Sequence, residues 1–200
     1  MTRVEKPDDT VLAGLVAEFK RAICDLEVSV AVQKYLTYGP CCLLSSDVYF
    51  ELKREIAEQF KLHPTEVLVV GSAKLGFSIV PKKRYRLFND ESDIDVALVA
   101  PQLFEQVWAE VYDYWYGGAY WEQHDKFCHY LFQGWIRPDK LPPSAQFNRA
   151  AEWWEYFRKL TNTARYGPYK IRAGLYKSWR FLETYQRLCV GQCKHTELSS

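Results

Sequence analysis

The chain has 200 residues, 48% of them apolar and 26% charged, a composition that excludes collagen, long coiled coil and wholesale disorder. No run of 18 apolar residues is present, so no transmembrane helix and no membrane partner is expected. The net charge of +1 is unevenly spread: Arg158 to Lys194 holds nine Lys/Arg against the single acid Glu183, and 23 of the 32 aromatic residues, with every Trp, follow residue 100.

The size suits one domain over residues 1–200. It is expected to comprise N-terminal helices (1–62), a central core (63–116) and a mainly helical, basic and aromatic part (117–200). The opening MTRVEKPDDT lacks the apolar stretch of a signal peptide, and the six cysteines are scattered. Reduced thiols and a cytoplasmic location are therefore expected.

Leu12, Leu15, Val16, Phe19 and Ile23 recur at helical spacing after a capping Asp9 or Thr10. Val28 to Tyr38 reads as helix or strand, with helix slightly preferred, and is stopped by Gly39-Pro40. Ser45 or Ser46 caps a helix to Phe60, with Val48, Leu52, Ile56 and Phe60 on one face. Glu66–Val70 is β-branched and closed by Gly71-Ser72, so it predicts a buried strand. A loop holding Lys82, Lys83, Arg84 and Arg86 follows, then a strand over Asp93–Val99. Pro101 opens a helix to Tyr114, ended by Gly117-Gly118. Residues 119–133 are amphipathic without a clear period. Phe147–Leu160 and Leu175–Cys189 read as helices, and Tyr169–Ala173 as a short strand. Strands between helices predict an α/β or α+β fold, a small mixed sheet flanked by helices.

Chemistry concentrates between Val67 and Val99. A strand ending in Gly-Ser offers backbone N–H groups and a hydroxyl to phosphate oxygens, because glycine lets the backbone approach closely. Asp93 and Asp95, two apart on a strand, project from one face. Paired carboxylates repel unless a cation sits between them, and hard oxygen ligands suit magnesium, which also takes phosphate oxygens.

With Gly71, Ser72, Gly76, Ser92, Asp93 and Asp95 in this order, the stretch resembles the DNA polymerase beta-like nucleotidyltransferase superfamily. The resemblance implies that Gly71, Ser72 and Lys74 contact a nucleoside triphosphate, ATP or another. It also implies that Asp93 and Asp95 hold catalytic Mg2+, and that NMP passes to a hydroxyl on RNA, a protein, a small molecule or a second nucleotide. Compact members of the superfamily act as toxins or in antiviral defence. Two departures stand out. Twenty residues separate Ser72 from Asp93, longer than the family's usual spacing, and the later strand YKIRA has no acid where the family places a third carboxylate. Asp125, Asp139 and Glu152 are conceivable substitutes. A second reading follows, in which the fold binds nucleotide or nucleic acid without catalysis and acts through a partner protein.

The basic segment suggests phosphate contacts from Lys170, Arg172, Lys177 and Arg180, with at least two of them expected in the cleft beside Asp93. Lys82, Lys83, Arg84 and Arg86 read as a solvated loop or as a phosphate-facing flap. His124, Cys128 and His129 do not assemble four tetrahedral zinc ligands. Trp108, Trp115, Trp121, Trp153 and Trp154 read as core, with base stacking as the alternative.

Overall fold

A computed structural model describes residues 4–199; the first three residues of the N-terminal segment lie outside the described residues. The fold is mixed α and β: helices pack around a four-stranded sheet of order β1-β2-β4-β3. Strands β1 (Val67–Val70) and β2 (Ile94–Val99) pair antiparallel, and β2 runs parallel to β4 (Ile171–Tyr176). A two-residue strand β3 (Trp135–Ile136) closes the far edge antiparallel to β4.

Helix α1 (Asp9–Asp25) begins one residue earlier than expected, since the Asp8 carboxylate accepts from the amides of Thr10 and Val11. That satisfies two of the amides a helix start leaves orphaned. The apolar stretch from Val28 starts as α2 (Val28–Ala31) and widens into a π-helical segment, Val32–Tyr38, before Gly39. Ser45 caps α3 (Ser46–Phe60), which buries Leu52, Ile56 and Ala57. The predicted loop after β1 opens with a short helix, α4 (Gly71–Leu75), whose C-cap Gly76 has φ +86°. A side chain at Gly76 would meet Cys42 Sγ and Leu12 at 2.9 Å.

Pro101 heads α5 (Pro101–Tyr116), and the ambiguous stretch resolves into α6 (His124–Phe132). Helix α7 (Asn148–Asn162) lies against β4 and buries Trp153 and Phe157. The strand expected over Tyr169–Ala173 is shifted two residues later, because Ile171 to Tyr176 pair one by one with Ile94 to Val99. The last helix accordingly starts later, as α8 (Trp179–Leu198). The expected tryptophan core divides. Trp153 is buried on α7, and Trp121, in the turn before α6, is buried against Tyr114 and Phe127, whereas Trp108, Trp115 and Trp154 are exposed. No described helix is long and apolar enough to cross a membrane.

The main core runs from Leu12 through both central strands to Leu175. Burying each such Leu, Ile or Val contributes about 1.5–3 kcal/mol. The centre of the sheet is thereby fixed, and with it the two strand ends where the polar residues gather.

Candidate functional site

The end of β1, the start of β2 and the start of β4 open into one cleft of about 400 Å³. Antiparallel pairing puts Val70 opposite Asp95, and parallel pairing puts Arg172 opposite Asp95 on the other side. Residues at paired positions project to the same face of a sheet. Asp95 therefore emerges on the cleft face, flanked by the chain leading to Gly71 and by Arg172.

Gly71 is required by geometry. Its φ is +67°, and a Cβ there would stand 3.3 Å from Asp95 Oδ2, so only glycine gives both the left-handed turn and the open contact. Ser72 follows at the start of α4 and lines the cleft. On the other strand, a turn delivers Asp93. The Asn89 amide donates to Ser92 Oγ at 3.0 Å, the Ser92 amide donates to the Asn89 carbonyl, and the Ile94 amide bonds to the Lys170 carbonyl. Asp93 thus sits one residue before β2, and Asp95 inside it.

The two carboxylates differ in surroundings. Asp93 Oδ2 lies 3.4 Å from Arg172 Nε. Asp95 makes no hydrogen bond or ion pair among the described residues. Asp95 is exposed to solvent at the cleft mouth, yet protein lies close around its base. Burial, and then the Asp93 charge, push its pKa up to about 6, against the pull of Arg172, Lys83 and Arg137. A crowded, unpaired carboxylate beside a second one and an open glycine fits a hard divalent cation that takes its remaining ligands from water and phosphate.

No third acid joins them: among the described residues no group of three His, Cys, Asp or Glu could hold a metal ion. Asp125 bonds to His124, and Glu152 lies 3.9 Å from Arg149; neither lines the cleft. Asp139 does line it, but Arg137 holds it through two 3.0 Å bonds and Lys140 through a third contact. Burial raises the Asp139 pKa, and these bonds overcome that and hold it below the usual range.

The expected basic contacts are only partly brought together. Of Lys170, Arg172, Lys177 and Arg180, Arg172 alone lines the cleft. Lys177 lies over the Trp108 ring and 3.7 Å from Glu105 of α5, since neighbouring strand residues point to opposite faces and only alternate ones share the cleft side. Lys74 also departs from expectation. It is buried under the π-helical segment, donates to the Gly39 carbonyl and faces the Tyr49 ring, because the turn of α4 carries it away from Ser72. It borders a separate pocket with Leu15, Phe19 and Phe77.

In their place the cleft gathers Lys83 and Arg86 from the loop and Arg137 from beyond β3. Of that loop's basic side chains, Lys83 and Arg86 thus line the cleft, while Arg84 bonds to Thr196. Arg137 gave no sequence signal beyond its place after Trp135-Ile136. Trp154, a third of its surface exposed, forms part of the cleft wall.

Comparison with protein-family models, with curated proteins and with solved structures gives no match.

Proposed function

We propose that the cleft binds a nucleoside triphosphate with one divalent cation, and that the chain is a magnesium-dependent nucleotidyltransferase acting on a hydroxyl acceptor. The observation that supports this reading most is the meeting of Gly71, Ser72, Asp93 and Asp95, distant in sequence, in one cleft with Asp95 against the glycine. Asp93 and Asp95 would hold the cation. When bound, it would neutralise charge on the phosphates and on the leaving group. Ser72 supplies a hydroxyl to a phosphate oxygen, and Lys83, Arg86 and Arg172 supply positive charge around the polyphosphate. Asp95, raised to about 6, is ionised at neutral pH, as a cation ligand must be.

Ser72→Ala is expected to weaken NTP affinity by roughly 1–2 kcal/mol, the worth of a hydrogen bond to a charged group, as measured by calorimetry. Unchanged affinity would reduce the Gly-Ser loop to a turn.

One observation favours the second reading, a nucleotide-binding fold without transfer that acts through a partner. The β4 position facing Asp95 carries Arg172, a cation, where a third carboxylate would complete a two-cation site. Incubation with each labelled NTP, magnesium, and total RNA or protein distinguishes the two. Label in RNA or protein supports transfer; nucleotide bound without any labelled product supports the second reading.

A further inference from the structure

We propose that Arg172 is a built-in cation of this cleft, one that grips the polyphosphate directly and lets the site work with a single divalent ion. The inference rests on the reading of the cleft as a triphosphate site and names how that ligand is held. Three observations carry it.

The first is register. Arg172 faces Asp95 on the neighbouring parallel strand, so the rigid centre of the sheet, rather than a loop, sets its position. The second is its lack of commitment. Its Nε lies 3.4 Å from Asp93 Oδ2, the side chain is half exposed, and it makes no hydrogen bond among the described residues. Among the other cleft arginines, Arg137 is held by Asp139 and Tyr130, and Arg86, 3.5 Å from the exposed Glu91, stands on a loop rather than a strand. A guanidinium presents its donors as a planar fork that matches two phosphate oxygens at once. Contact with Asp93 orients the fork without exhausting it.

The third observation is charge. The cleft is lined by four acids (Glu91, Asp93, Asp95, Asp139) and four bases (Lys83, Arg86, Arg137, Arg172). The pair Arg137–Asp139 largely neutralises itself, and Arg86 shares only a 3.5 Å contact with the exposed Glu91. What remains is the two carboxylates facing Arg172, with Lys83 and Arg86 reaching in from the loop. One divalent ion at Asp93 and Asp95 would leave Arg172 free to turn to the phosphates, and a second divalent ion would be set against its positive charge. The ligand class is thus a polyphosphate chain, with affinity that outlasts removal of the divalent ion.

Calorimetry with ATP and with inorganic tripolyphosphate, in magnesium and in EDTA, tests this on the full chain. The wild type should bind both probes in magnesium and keep binding in EDTA, about tenfold more weakly. Arg172→Gln should lose a further tenfold or more in EDTA, with Arg172→Lys in between, because lysine keeps the charge and loses the fork. With Mn2+ as probe, spin resonance should count one ion per bound nucleotide. Equal affinities of wild type and Arg172→Gln in both buffers, or two Mn2+ per nucleotide, would overturn the proposal while leaving the triphosphate reading intact. Absence of wild-type binding to either probe in magnesium would overturn both. Thermal melts of the variants confirm that each is folded.

Discussion

Asparagine at both Asp93 and Asp95 should abolish magnesium-dependent NTP binding and any transfer, because amides lack the charge that holds the ion. Stability should move the other way for Asp95 alone. Its carboxyl titrates at about 6 in the fold, against about 4 for an ordinary aspartate in the unfolded chain. Below that lower value both states carry the proton. Between the two values the native state retains a proton that the unfolded chain has lost, so stability falls as pH rises through this window. Above about 6 both are ionised and the full penalty of the crowded charge remains. Asp95→Asn should therefore stabilise the protein at pH 7.5 by on the order of 1 kcal/mol after allowance for solvent screening. That is roughly 2–4 °C in Tm for a chain of this size, and the gain should vanish near pH 4. A large loss of stability with nucleotide binding intact would contradict the assignment. Asp93 is not expected to show the same gain, since its replacement also removes the contact with Arg172.

The second large effect concerns Gly134, which turns the chain from α6 into β3. Its φ is +64°, and a Cβ there would lie 2.3 Å from Cγ of the Phe181 ring. The carbonyl of Gly134 also accepts the Lys177 amide, tying β3 to the end of β4. Gly134→Ala meets both an unfavourable backbone conformation and an overpacked contact. Each costs about 1–3 kcal/mol, for a combined loss of about 2–5 kcal/mol in chemical denaturation. Because Trp135 and Arg137 follow directly, the same variant should bind NTP more weakly even where it remains folded. A loss below about 1 kcal/mol would mean that Phe181 moves aside without cost and that β3 does not position the cleft wall.

What the sequence reveals is local. Val67–Val70 and Ile94–Val99 show as strands because a buried strand needs a short β-branched run, and glycine at residue 71 marks a turn that other side chains resist. The pairing of Gly71-Ser72 with Asp93 and Asp95 was legible because each lies at the end of such a strand. The third wall was not. β3 has only two residues, too few for alternation to register, and it exists because Tyr176 and Leu175 offer pairing partners more than 35 positions away. A count of basic residues finds the charged segment but not its direction. Arg172 and Lys177 belong to the same cluster, yet one faces the carboxylates and the other packs on Trp108 beside Glu105. Lys74 follows the Gly-Ser pair closely, and a single turn of α4 still removes it to the far side, where the Gly39 carbonyl takes it up. Sequence spacing does not decide such questions; strand register and helix phase do.

The most direct measurement is a crystal structure of the chain with Mn2+ and a non-hydrolysable ATP analogue, with anomalous scattering locating the metal. The account predicts one manganese peak between Asp93 and Asp95, the triphosphate beside Ser72, and Arg172 against a phosphate oxygen. Manganese bound away from both aspartates, or the triphosphate lodged elsewhere, for instance in the pocket bordered by Lys74, would contradict it.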